Sequence, residues 1–530
     1  MVSASSRPSN ASRPWRADRA LQTDRALGTR ARPEFAFLAV TLGLGALCGW
    51  LLAHGYVNEE ALSRYEKILV ISGAHPAKLE YLGLVYPHLP TYLVWFVHEL
   101  PGLGTAAAPY LASALAAGLA VALWFRVQAQ SGPIFAWLAL VALCVNPVFL
   151  WATTTGTDYG LSLLIFFSLG MAMVKISEDP SPQAFLSLSG FLALYFLADE
   201  RASYVILALF PLVAILAPKT LLERSPLVIY LLIFTPFVMV FLGWAYLNWL
   251  YVGSPWYFLH SSDSAFLGAF PDAPFVPWLR DHGGEFWTPL AIAVLMTLAA
   301  FPLSLWHLAK SMFSRRKITT AGVLTLVILL ATALATFTNF LGHPLEMLCL
   351  LEGVTMIALA IDPPRHTRAR ALALALLVLG AVGGWGAIRW EPTQDMHRWL
   401  TALQGGTLAQ IHPGQVALGR WLAVHREPTL LDDSLAYPAI VARGDTDGLL
   451  LPYSAAYKLA FSRQVPDVAQ IVVPDPHRGR GASDAVNERF PGLYDKGLPG
   501  FELAYDAMGW RVYRASRNLL ASDRDSFRRY

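Results

Sequence analysis

Long apolar runs alternate with short polar connections along this chain, and the length of each run decides what it is. Apolar stretches recur at about 35–53, 105–125, 133–151, 157–174, 183–198, 202–218, 227–250, 287–309, 318–340, 344–361 and 371–390. A helix of about 20 apolar residues crosses the hydrocarbon core of a bilayer. Inside that core a helix is one of the few structures that satisfies its own backbone. The pattern predicts eleven transmembrane helices, an all-α polytopic membrane domain over residues 35–390.

The polar connections between runs fall into two sets. One set is short and bears arginine or lysine: Arg126, Lys175 to Gln183, Lys219 to Arg224, the Lys310–Lys317 group and Arg365 to Arg370. The other comprises residues 54–104, the turn at 152–157, Asp199-Glu200-Arg201, residues 251–286, the turn near His343 and everything after 390. Cytoplasmic loops carry the excess of positive charge. The first set is therefore expected inside, and the second outside. Residues 1–34 hold seven arginines and no apolar core, and read as a disordered cytoplasmic N-terminus. The run at 35–53 is too long for a cleaved signal peptide and reads as a retained span.

After Trp390 the period changes. Short strand-like runs begin at Thr429, Leu449, Ile471, Phe501 and Trp510, separated by turns and helical stretches. Residues 391–530 are expected to form a small extracytoplasmic α/β domain of normal size.

Composition agrees with this architecture. Of 530 residues, 55% are hydrophobic and 15% charged, and mean hydropathy is +0.45. A soluble domain carries about 25% charged residues. A formal net charge of +3 gives no field that would call for nucleic acid. Cys48, Cys144 and Cys349 all lie within apolar runs and read as small hydrophobes. No Cys/His cluster has metal-ligand spacing, and no cofactor is implied. Asp445-Thr-Asp447 sits in a predicted turn of the tail.

The long first outer loop carries the densest candidate chemistry. Asn58 suits a helix N-cap, with Glu59 and Glu60 in the first turn. Leu62, Tyr65 and Leu69 follow at helical spacing, which predicts a short amphipathic helix on the membrane surface. Glu59 and Glu60 can serve the helix dipole, or one can act as a general base. Asp158 can cap the helix that follows it or work as a second acid. Arg201 can pair with Asp199 or Glu200, or hold a phosphate.

Taken in order, several elements resemble the GT-C membrane glycosyltransferases, among them the protein O-mannosyltransferases and lipid A aminoarabinose transferases. They are the acidic pair Glu59-Glu60 after a first span; Tyr86-Pro-His-Leu-Pro90; Asn146-Pro-Val-Phe-Leu150 followed by Thr157-Asp158; Glu200-Arg201; and Leu247 to Trp256 with its Gly-Ser-Pro turn. Asp475-Pro476 and Trp510-Arg-Val-Tyr513 resemble closing elements of outer domains in some bacterial members. The family's first-loop acid is often Asp, and a late Arg-Tyr pair is replaced here by His343-Pro-Leu-Glu346.

The resemblance implies transfer of a sugar from a polyprenyl-phosphate donor to a lipid, glycan or protein acceptor. The reaction would take place on the outer face of the inner (plasma) membrane, in the cell envelope. It implies Glu60 or Glu59 as base and Asp158 as the acid that orients the acceptor. It also implies Arg201, His343 and Tyr86 on the substrate and phosphate. The rival classes are a transporter or flippase and a non-catalytic membrane scaffold.

Overall fold

The structure, a computed structural model, describes residues 32–73, 87–129, 132–216, 223, 225–260, 286–313, 319–338, 340–452, 454–463, 465–479 and 481–516. Along the chain, α1 (Pro33–Ala53) leads through α2 (Glu59–Gly73) and α3 (Leu89–His98) to α4 (Ala108–Gln128). Then come α5 (Pro133–Cys144), α6 (Pro147–Thr154), α7 (Tyr159–Glu178), α8 (Pro182–Ala198), α9 (Ala202–Leu216) and α10 (Pro226–Val252). Further along the chain follow α11 (Trp287–Ala300), α12 (Pro302–Phe313), α13 (Thr320–Phe337), α14 (Leu345–Leu348), α15 (Leu351–Ile361) and α16 (Thr367–Arg389).

The described residues of the eleven apolar runs are mostly helical, but they do not form eleven straight spans. Among the described residues, six helices are long and apolar enough to cross a membrane by themselves, namely α1, α4, α7, α10, α13 and α16. The number rises to eight if each bent pair is one span: α5 with α6 at 69°, and α11 with α12 at 115°. Helices α8 and α9 are shorter, and the run at 344–361 divides into α14 and α15. Apolarity alone does not distinguish these cases. At the first break the Asn146 side chain accepts the Val148 amide, so α6 starts afresh with its own cap.

The C-terminal region begins with α17 (Gln394–Leu403) and α18 (Pro413–Val424). It continues with β1 (Thr429–Leu430), α19 (Asp433–Arg443), β2 (Leu449–Leu450), α20 (Ala455–Ser462), β3 (Gln470–Pro474), α21 (Ala485–Arg489), β4 (Phe501–Ala507) and β5 (Trp510–Ala515). The five strands form one sheet in the order β2-β1-β3-β5-β4. Strand β1 pairs in parallel with β2 and β3, whereas β5 runs antiparallel to β3 and β4. Every residue of β3 is buried, because both faces are covered. Ile471 and Val473 pack with Phe490 and Tyr513 on one face. Val472 faces Leu418, Leu422 and Ile440 on the other. The strand-like runs of the tail thus form one small sheet, whereas Met396, Trp399 and Leu400 of α17 pack into the core of the helical bundle.

Helix α2 departs from expectation. Tyr65, Ile68, Leu69 and Ile71 pack between Ala108 and Ala112 of α4 and Leu418, Leu422 and Ile440 of the C-terminal region. It is a buried connector rather than a surface helix, and its Lys67 Nζ lies 2.6 Å from Asp433 Oδ2. Helix α17 ties the same two regions, with Trp399 Nε1 donating to Thr154 Oγ1 at 2.9 Å.

Candidate functional site

The first turn of α2 is fixed from three sides. Asn58 Oδ1 accepts the Ala61 amide at 3.1 Å, the cap that the sequence suggests. The Asn58 amide donates to Tyr110 Oη, and Asn58 Nδ2 donates to Asp395 Oδ1, each at 3.0 Å. Asp395 also accepts Tyr56 Oη at 2.9 Å and Trp151 Nε1 at 3.4 Å. Gly156 lets the turn before α7 approach this helix start. Its φ is +76°, and a Cβ there would lie 3.0 Å from both Ala61 and Tyr110.

That approach brings Glu60 toward the polar turns of α7 and α9. Adjacent residues on a helix point about 100° apart, and the two glutamates separate accordingly. Glu59 is exposed and lies 3.6 Å from His412 Nε2 of the C-terminal region. Glu60 is exposed as well, and its Oε1 is 2.5 Å from Arg64 Nη2. Beside it stands Glu200, partly buried. Burial pushes the Glu200 carboxyl up to about 8, and the charges of Glu60 and Asp199 add to the rise.

Arg201 is the hub of the cluster. Only 3% of it is exposed. Its Nε donates to Asp199 Oδ1 at 2.7 Å, and its Nη2 to Asp158 Oδ1 at 2.7 Å and Asp199 Oδ2 at 2.9 Å. Its Nη1 donates to the Glu346 carbonyl at 2.8 Å. The guanidinium also lies over the Tyr159 ring, 3.9 Å from its centroid. Asp158 precedes α7 but makes no side-chain capping bond there; it faces Arg201, and its Oδ2 is buried without a hydrogen-bond partner.

The other expected residues fare differently. His343 is fully buried: Nδ1 accepts the Leu345 amide at 3.2 Å and Nε2 donates to the Trp390 carbonyl at 2.9 Å, so both ring nitrogens are engaged. Tyr86 lies outside the described residues. Asp445 pairs with Arg426 and Arg443, and accepts the Asp447 amide in a turn. Thus Asp158 and Arg201 are bonded, Glu60 pairs with Arg64 and acts on Glu200 through its charge, and Glu59 and His343 face elsewhere.

Three members of the site are absent from the sequence reading as functional groups. Arg64 is 5% exposed, and its Nη1 is buried without a hydrogen-bond partner. Its spacing of four residues from Glu60 was a readable signal. Glu200 adjoins Arg201, but nothing local shows that it meets Glu60. Asp395 lies far along the chain, and no local pattern connects it to Asn58.

Among the described residues, Asp158, Asp199 and Glu200 bring carboxylate oxygens within 4.8 Å of one another, a spacing that can hold a cation. Arg201 already bonds two of the three, so a metal ion would compete with a guanidinium in place. Comparison of the chain with known protein families and with curated proteins finds no match.

Proposed function

We propose that the protein is a membrane glycosyltransferase of GT-C type, with eleven transmembrane passages, some of them broken or short. It would transfer a sugar from a polyprenyl-phosphate donor to an acceptor at the outer surface. The observation that carries this reading is the cluster of Asp158, Asp199 and Glu200 about Arg201, with the charge of Glu60 on the first-loop helix acting on Glu200. In this reading Glu60 is the base, since it is the acid of the cluster that an acceptor hydroxyl can reach. The leaving phosphate departs as an anion and needs no proton. Its charge is met by Arg64, whose Nη1 is unpartnered. Arg201, bonded to two carboxylates and a carbonyl, holds Asp158 in place for the acceptor.

The test is transfer by purified protein from radiolabelled polyprenyl-phosphate sugars, comparing wild type with Glu60→Gln. Release of polyprenyl phosphate that vanishes in the variant supports the reading. Absence of release across mannose, glucose and aminoarabinose donors sinks it. One observation favours the transporter reading instead: α15 carries a buried carboxylate, Glu352, deep in the bundle. Movement of a labelled lipid donor across vesicles without transfer would support that alternative.

A further inference from the structure

Glu352 lies near the middle of the apolar stretch from Leu345 to Ile361, whose far end is marked by the exposed Lys310–Asp362 pair. It is 2% exposed, and its Oε1 has no hydrogen-bond partner. A cavity opens beside it where the two helix breaks meet. The lining includes Asn146 from the α5–α6 break, Ala300 and Phe301 from the α11–α12 break, Thr355 one turn along α15, and Gly380 of α16. Asn146 bridges the breaks, with Nδ2 donating to the Ala300 carbonyl at 3.0 Å. Gly380 lets α16 close over this carbonyl, since a Cβ there would lie 2.7 Å from Ala300 O. Thr355 and Ser304 hydroxyls stand 2.8 Å apart on the same side.

Among the described residues, no lysine, arginine or histidine lines the cavity. A bare carboxylate at this depth is costly, and must be neutralised by a proton or by a cation. A proton needs no cavity, whereas this one has room for about one water-sized particle. The lining residues supply a carboxylate, an amide, a hydroxyl and a main-chain carbonyl at a helix break, and the Asn146 and Ala300 oxygens, each accepting one hydrogen bond, keep a second lone pair. Broken helices present oxygens in this way to hard cations. One carboxylate balances one positive charge.

We propose that this cavity is a monovalent-cation site of the Na⁺ type, with the Glu352 carboxylate as its charged ligand and oxygens of Asn146, Thr355 and Ala300 around the ion. The site is independent of the outer cluster and stands whether or not that cluster transfers a sugar.

The test uses the full-length protein in detergent at constant ionic strength, with Na⁺ replaced by N-methylglucamine. A hydrophobic carbodiimide should modify Glu352, detected by peptide mass spectrometry. Na⁺ present at about ten times its dissociation constant should slow that modification roughly tenfold. The thermal midpoint of wild type should rise saturably with Na⁺, and Glu352→Gln should lose the rise. Should Glu352→Gln fail to fold, the carbodiimide protection of wild type decides alone. Modification that follows pH but ignores Na⁺ would overturn the cation site in favour of a proton site. Lack of both modification and Na⁺-dependent stabilisation would overturn it outright.

Discussion

Asp158 and Glu352 are both carboxylates at most 2% exposed in the same bundle, and the chain treats them in opposite ways. Asp158, at the end of the bundle, is met by Arg201 at 2.7 Å, and Asp199 shares the same guanidinium. Glu352, in the middle, faces a cavity with no basic side chain. At the end of the bundle a long arginine can be supplied by a polar turn without crossing hydrocarbon. At mid-depth an arginine would itself be costly to insert. The difference teaches which acids are held by the chain itself and which leave their counter-charge to a bound ion. It also separates Arg201, with its donors engaged, from Arg64, which has one nitrogen left over.

The largest effect expected from that division lies at Glu60. Under the glycosyltransferase reading, Glu60→Gln lowers turnover about 100- to 10,000-fold while donor binding holds, because only proton acceptance is removed. Glu59→Gln, facing His412, stays near wild type. Transfer assays on both variants decide, and normal turnover in both removes the first loop from the chemistry.

Arg201→Ala is next. It leaves Asp158 and Asp199 buried without their cation, and should cost about 3–5 kcal/mol of stability, with Arg201→Lys recovering part. Unfolding curves read the loss. A stable Arg201→Ala protein that fails only in donor binding would make Arg201 the phosphate ligand the family resemblance implies, and would move Arg64 out of that role.

The Lys67–Asp433 pair tests whether the C-terminal region is locked to α2. A double-mutant cycle of Lys67→Met and Asp433→Asn should give a coupling of about 0.5–3 kcal/mol. Additive effects would mean that the apolar contacts around Ile68 and Leu69 hold the two regions without it.

The last effect is a slope against pH. The folded Glu200 carboxyl is raised from 4.5 to about 8, so between those values the folded protein keeps a proton that the unfolded chain has released. Its contribution to stability is therefore complete below about pH 4.5 and falls as pH rises toward 8. Glu200→Gln should flatten this part of the stability–pH curve. An unchanged curve would show that Glu200 ionises freely and that Glu60 does not crowd it.

Much of this was legible in one dimension. Among the described residues, apolar run length located the six helices long enough to cross a membrane, and alternation with turn residues located the five strands, including β3 near Ile471 and β5 at Trp510. Asn58 was readable as a cap because capping is a contact three residues long. The breaks were not readable. Pro211 and Pro236 sit inside continuous helices. Pro147 and Pro302, by contrast, start new ones, at the point where Asn146 reaches the Ala300 carbonyl. The surface position expected for α2 also failed. Its polar residue Lys67 finds Asp433 at a separation of 366 residues, and a second apolar layer covers the helix.

Hydrophobic period and run length are properties of neighbours along the chain, and they determined which segments are helix, strand or loop. Which carboxylate receives a guanidinium, which shares a cavity and which faces solvent depends on distances in space that fall off within a few ångströms. Only the packed structure set those distances. It joined Asp158 to Arg201, turned Glu59 from Glu60, and left Glu352 without a basic neighbour on its cavity.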